Sequence, residues 1–132
     1  MAKAKKSKQL SFAMPNKVGL LSKVSTVITG AKVNMYAICA YGMEGKAYFM
    51  VVADNNLKTK KALNTIGIDV SEEDIISVEM LNKAGELQKV AKKIADAGID
   101  INYMYGTAGT GKSSICVFKT DDDKKAIKVI NK

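Results

Sequence analysis

Asn16-Lys17-Val18-Gly19-Leu20-Leu21 and Asn82-Lys83-Ala84-Gly85-Glu86-Leu87 carry Asn, Lys, Gly and Leu at the same four places, 66 residues apart. Sliding the 132-residue chain by 66 positions without gaps lays residues 11–54 on 77–120. Identities then run in order from Ser11 with Ser77 and Met14 with Met80 to Gly45 with Gly111, Lys46 with Lys112 and Val51 with Val117. Ordered identities at one fixed spacing mark a duplication, so the chain is read as two copies of one unit.

Upstream of each loop the apolar residues alternate. Leu10, Phe12 and Met14 alternate with Ser11 and Ala13, and residues 74–80 do likewise, which is the period of a strand. Downstream, Leu20, Leu21, Val24, Val27, Ile28 and Ala31 recur at helical spacing, as do Leu87, Val90, Ala91, Ile94, Ala95 and Gly98. The Asn ahead of each helix is expected to cap its first amides, and the Gly to permit a tight entry. Residues 33–41 and 99–107 read as strands, a glycine-bearing turn follows, and 46–53 and 113–119 return as strands, one hairpin per copy. Second helices are expected to open over 54–58 and 120–123, with acids in the first turn and Lys in the last. The first copy closes with a short strand expected at 67–70, and the second stops without one.

The fold class that follows is α+β: two tandem ferredoxin-like βαββαβ units, over 9–70 and 71–132, with antiparallel sheets and helices on one face. The second lacks its last strand. That open edge is expected to be covered by the sister unit, the N-terminal segment or another chain.

Net charge is +8 and every one of the 21 basic residues is lysine, so the chain lacks the forked donor that reads phosphate or guanine in two bonds. Lys3, Lys5, Lys6 and Lys8 supply half of that excess, and residues 1–8 read as a basic, flexible tail. Histidine is absent, which removes the usual base near neutral pH and the commonest transition-metal ligand. No catalytic residue, metal site or cofactor is expected. No run approaches the roughly 18 apolar residues of a membrane span, and no secretory signal follows the N-terminal lysines. Cys39 and Cys116 lie far apart inside apolar runs, as buried thiols do in a reducing compartment. A cytoplasmic protein with no membrane partner is expected.

Residues 106–113, Gly-Thr-Ala-Gly-Thr-Gly-Lys-Ser, satisfy the phosphate-loop pattern. That loop works only where a helix follows and aims its amides at phosphate. Here Ile115, Cys116, Val117 and Phe118 follow, which read as a strand, so nucleotide binding is rejected. Asp121, Asp122 and Asp123 are read as a helix cap rather than a metal site. Tyr103-Met104-Tyr105 and Met35-Tyr36 are read as strand packing.

The repeated order, the Asn-Lys-x-Gly-x-Leu loop and the stretch Ala97-Gly98-Ile99-Asp100-Ile101-Asn102-Tyr103-Met104-Tyr105 resemble the ACT domain, here as a stand-alone tandem pair. The resemblance implies a regulatory module that binds an amino acid at the interface between two units, with a homodimer through those units and a regulated enzyme of amino-acid metabolism as partners. It implies that Asn16, Val18, Gly19, Leu20 and Leu21, with Asn82, Ala84, Gly85, Glu86 and Leu87, meet the ligand. Asn34, Asp100 and Asn102 are implied in the opposing wall. RNA binding by the sheet surface and basic tail is the alternative. It needs stacking aromatics, yet Tyr48 and Phe49 are adjacent and so face opposite ways, and the second copy offers Phe118. Nucleic acid is therefore not the expected partner.

Overall fold

A computed structural model describes residues 2–107 and 110–132 of the chain. Among these residues the order is β1 (Lys3–Pro15), α1 (Leu20–Gly30), β2 (Met35–Met43), β3 (Lys46–Ala53), α2 (Asn56–Asn64), β4 (Ser71–Leu81), α3 (Glu86–Asp96), β5 (Ile101–Thr107), β6 (Ser113–Thr120) and α4 (Asp123–Ile130). The chain divides into a first unit, Lys8–Glu73, and a second unit, Asp74–Lys132 joined by the N-terminal segment through Ser7.

In the first unit β3 pairs antiparallel with both β1 and β2. Strand alternation sends Leu10, Phe12, Phe49 and Val51 to one face, where they meet Leu20, Val24 and Ile28 from α1 and Leu63 from α2. Leu20, Val24 and Ile28 are spaced by four, so one helix face is buried. Each such side chain removed from water contributes about 2 kcal/mol. In the second unit β6 pairs with both β4 and β5. Ile76, Val78, Met80 and Phe118 meet Val90 and Ile94 from α3 and Ala126 and Ile130 from α4.

The missing strand of the second unit comes from the other end of the chain. Residues expected to form a flexible tail are instead the first part of β1, in the place where a closing strand belongs beside β4. Ala4 is buried in the second unit's core. Its amide donates to Asn131 Oδ1 at 2.7 Å, and Asn131 Nδ2 donates to the Ala4 carbonyl at 2.9 Å. Lysine density masked a period-two pattern in which Ala4 turns inward while Lys3 and Lys5 stay in solvent. The expected strand at 67–70 is likewise displaced, since β4 begins at Ser71. Residues 68–70 form a non-strand stretch whose Ile68 and Val70 fill the first core.

The copies also slip by one residue. Met14 faces Ala47 while Met80 faces Ser114, so a shift of 66 before the hairpin turn becomes 67 after it. Gly45, Lys46 and Val51 are therefore not the structural counterparts of Gly111, Lys112 and Val117; Val51 corresponds to Phe118, and both are core residues. The slip lies in the turn of the rejected nucleotide motif, of which Ala108 and Gly109 fall outside the described residues. The segment after that turn is strand β6, not a helix. No helix among the described residues is long and apolar enough to cross a membrane.

Candidate functional site

Each first strand leaves its sheet through an Asn-Lys-x-Gly loop and enters a helix at a glycine in the left-handed region, with Gly19 and Gly85 both at φ 88°. A Cβ at either would meet no atom within 4 Å. Backbone angle rather than space therefore demands glycine. The glycine carbonyls take the first helical bonds, from the Lys23 amide at 3.0 Å and the Lys89 amide at 3.1 Å. The asparagines do not cap, because neither helix has a side-chain cap. Their backbone amides instead tie the loop to the hairpin turn, Asn16 to the Gly45 carbonyl and Asn82 to the Lys112 carbonyl, both at 2.9 Å. Asn82 Nδ2 adds a bond to the Gly111 carbonyl at 3.1 Å. A left-handed glycine at the cap position leaves the asparagine side chain to lace loop to turn.

Val18 is fully exposed, Leu20 is buried and Leu21 is more than half exposed. The corresponding residues Ala84, Glu86 and Leu87 are exposed, buried and exposed. Asn34, Asp100 and Asn102 lie at the far end of the unit that contains them. The Asn34 carbonyl accepts from Asp54, the Asp100 carbonyl accepts from Asp121, and Asn102 Nδ2 donates to Asp121 Oδ1. Eight residues of β3 separate Asn34's end of the sheet from the Asn16 loop, roughly 23 Å at about 3.3 Å per residue. Neither unit thus brings its own two sets together.

In the second unit a cavity of about 370 Å³ opens beside the loop. Asn82, Glu86 and Leu87 line it, as the resemblance implied, together with Lys83. Met80, Met104, Gly106, Thr107, Ser114 and Cys116 complete the wall. These were missed because alternating strand residues look alike whether they pack or line a hollow; Met104, read as packing, is a lining residue. Met35 and Tyr36, read the same way, are exposed.

The cavity has an atomic cause. Cys116 stands opposite Gly106, and a Cβ added to Gly106 would lie 2.6 Å from the Cys116 sulfur. In the first unit the same pair is Ala40 and Phe49, and the Phe49 ring stacks on Phe12 with centroids 5.1 Å apart. A small thiol thus replaces a phenyl ring. Glu86, where the first unit has Leu20, holds its carboxylate in the wall with only 9% of the side chain exposed, 3.4 Å from the Lys89 ammonium. The helix N-terminus favours that negative charge. Burial pushes the Cys116 thiol above its ordinary value, so it stays protonated near neutral pH and is a lining group rather than a nucleophile.

Other expected features fall as follows. Asp122 caps α4, its carboxylate accepting from the Lys125 amide at 3.1 Å, and Asp123 accepts from Thr120. The acids expected in the first turn of α2 are absent, and Asn55 caps that helix instead. Phe49 and Phe118 are buried, while Tyr41 and Tyr48 stack on each other at 5.3 Å.

Paired strands and helices, given twice and each entered through an Asn-Lys-x-Gly loop, place the chain in the class of duplicated α+β folds. Residues 6–132 match the family described as the ACT domain pair, and the chain belongs to that family. Among solved structures it is similar to protein BT0572 from Bacteroides thetaiotaomicron, at 27% identity and TM-score 0.88, covering 97% of this chain and 88% of that one. It shares its fold with the regulatory subunit of aspartate kinase from Thermus flavus, at 16% identity and TM-score 0.66, covering 98% and 94%. The ligand-free regulatory subunit from Thermus thermophilus gives 13% identity and TM-score 0.68 over the same shares. No curated protein matches.

Proposed function

We propose that this protein is a non-enzymatic cytoplasmic regulator that binds a small zwitterion, an amino acid, at the loop and helix entrance of its second unit. The observation that carries this reading is the cavity beside Asn82. It joins an ammonium group, Lys83, and a nearly buried carboxylate, Glu86, to an apolar floor of Met80, Met104 and Cys116. A zwitterion presents the complementary pair of charges on one carbon, and its side chain is served by the apolar floor. Ala84 and Gly85 shape the approach. The regulatory subunits that share this fold support a role in controlling an enzyme of amino-acid metabolism. In this proposal a second copy of the chain supplies the wall of Asn34, Asp100 and Asn102, and ligand acts by binding one arrangement of the copies more tightly than another. Asn16, Val18, Gly19, Leu20 and Leu21 then frame the equivalent entrance, where Phe49 stands in the place of Cys116.

A thermal-shift screen of the common amino acids tests this. A cognate ligand at 100 times its dissociation constant adds about 2.7 kcal/mol and raises the melting temperature by several degrees. No shift with any amino acid, beside salt-sensitive binding of single-stranded RNA, would replace this reading with the RNA one.

A further inference from the structure

We propose that a second hollow in the second unit, remote from the Asn82 loop, is a binding site for a small polyanion of the phosphate class. This goes beyond the zwitterion site and does not depend on it. The hollow has a volume of about 610 Å³, within the range of small-molecule sites. Lys6 from β1, Lys119 from β6 and Lys124 and Lys128 from α4 line it, with Asp74 and Asp123.

Two of these groups form a fixed floor. Lys119 Nζ donates to the Asp74 carbonyl at 2.8 Å and to Asp123 Oδ2 at 3.2 Å, and Asp123 Oδ1 takes the Thr120 amide at 3.0 Å and hydroxyl at 2.7 Å. Lys6, Lys124 and Lys128 form no ion pair among the described residues. The four lysines of the hollow outnumber its two aspartates, and the positive charge left over favours an anion. Lysine suits phosphate as a point charge.

The duplication provides a control. In the first unit Asn56 stands for Asp123, and without charge it accepts from the Ala53 amide at 3.3 Å, as Asp123 does from Thr120, and donates to the Lys8 carbonyl at 3.1 Å, as Lys119 does to Asp74. Val52 and Leu57 stand for Lys119 and Lys124. The fold therefore does not require the charges that the second unit gathers. A hollow of this volume, with three ammonium groups that form no ion pair, fits a small ligand better than an extended nucleic acid.

The test is an NMR titration of the ¹⁵N-labelled full chain with inorganic pyrophosphate, ionic strength being held constant with chloride. Saturable amide shifts at Lys6, Lys119, Lys124 and Lys128, without shifts over 52–61, are expected. K124Q/K128Q should weaken binding at least about tenfold, the loss of one charge-assisted bond or more. Shifts that follow ionic strength alone, shifts shared by both units, or a double variant that binds like the parent would each overturn the proposal. So would shifts produced by an oligoribonucleotide and not by pyrophosphate.

Discussion

The two loop-to-helix entrances have nearly the same backbone and different floors. Gly19 and Gly85 share φ 88°, and both loops are tied to their hairpin turns by an asparagine amide at 2.9 Å. Beneath the first lies Phe49 stacked on Phe12; beneath the second lie Cys116 and Gly106. Beside the first stands Leu20, and beside the second Glu86. Duplication kept the frame, which the left-handed glycine and the tied loop determine, and let the contents diverge. One copy sets a buried ring there and the other a thiol beside a hollow.

Exchanging contents between the copies is the strongest way to break this comparison. Phe49→Cys removes a buried ring from the first core and is expected to cost about 3 kcal/mol in urea denaturation, as large-to-small core changes do. The reciprocal Cys116→Phe should abolish ligand-induced stabilisation, with an overpacking cost of about 1–3 kcal/mol. If both exchanges were neutral, the difference in filling would have no energetic meaning. Closure of the units gives the next effect. Asn131→Ala deletes both bonds to Ala4 and should destabilise by about 1–2 kcal/mol, with faster amide exchange in 3–7 than in 71–73.

Glu86→Leu, which copies the first unit, is expected to lower zwitterion affinity about tenfold while leaving the melting temperature of the free protein within a few degrees. Calorimetric titration reads the first, a thermal scan the second. The smallest effect is a pH dependence. Because burial raises the Cys116 thiol in the folded state, the stability it contributes is fully present below its ordinary value of 9.0 and declines as pH rises beyond it. Urea midpoints at pH 7.5 and 10 should therefore fall further for the parent than for Cys116→Ala.

Most of the fold was legible because its signals are periodic. Residues 10–14 lie in the strand the alternation predicts, and the α1 and α3 faces follow the spacing of Val24, Ile28, Val90 and Ile94. The one-residue slip was not legible. Gly-Lys recurs at both turns and rewards the ungapped alignment, while the core register, which pairs Phe49 with Cys116, is visible only when strands face each other. The cavity was hidden for the same reason. Loop residues Asn82, Glu86 and Leu87 could be carried over from the family, but Met104 and Ser114 have no signal distinguishing lining from packing. The N-terminal strand was concealed by composition, since four lysines in eight residues suggest solvent more strongly than one inward alanine suggests a sheet.

The clasp between Ala4 and Asn131 spans 127 positions, and this sets an order of events during synthesis. The first unit holds all its strands within one continuous run and can complete itself on the ribosome. Its sister must keep residues 3–7, made before the rest of that unit, waiting until α4 emerges, and loop closure over so long a separation is slow. Newborn chains would thus pass through a stage with one finished half and one unsealed sheet, a stage at which chaperone capture or strand exchange between neighbouring chains is most favoured.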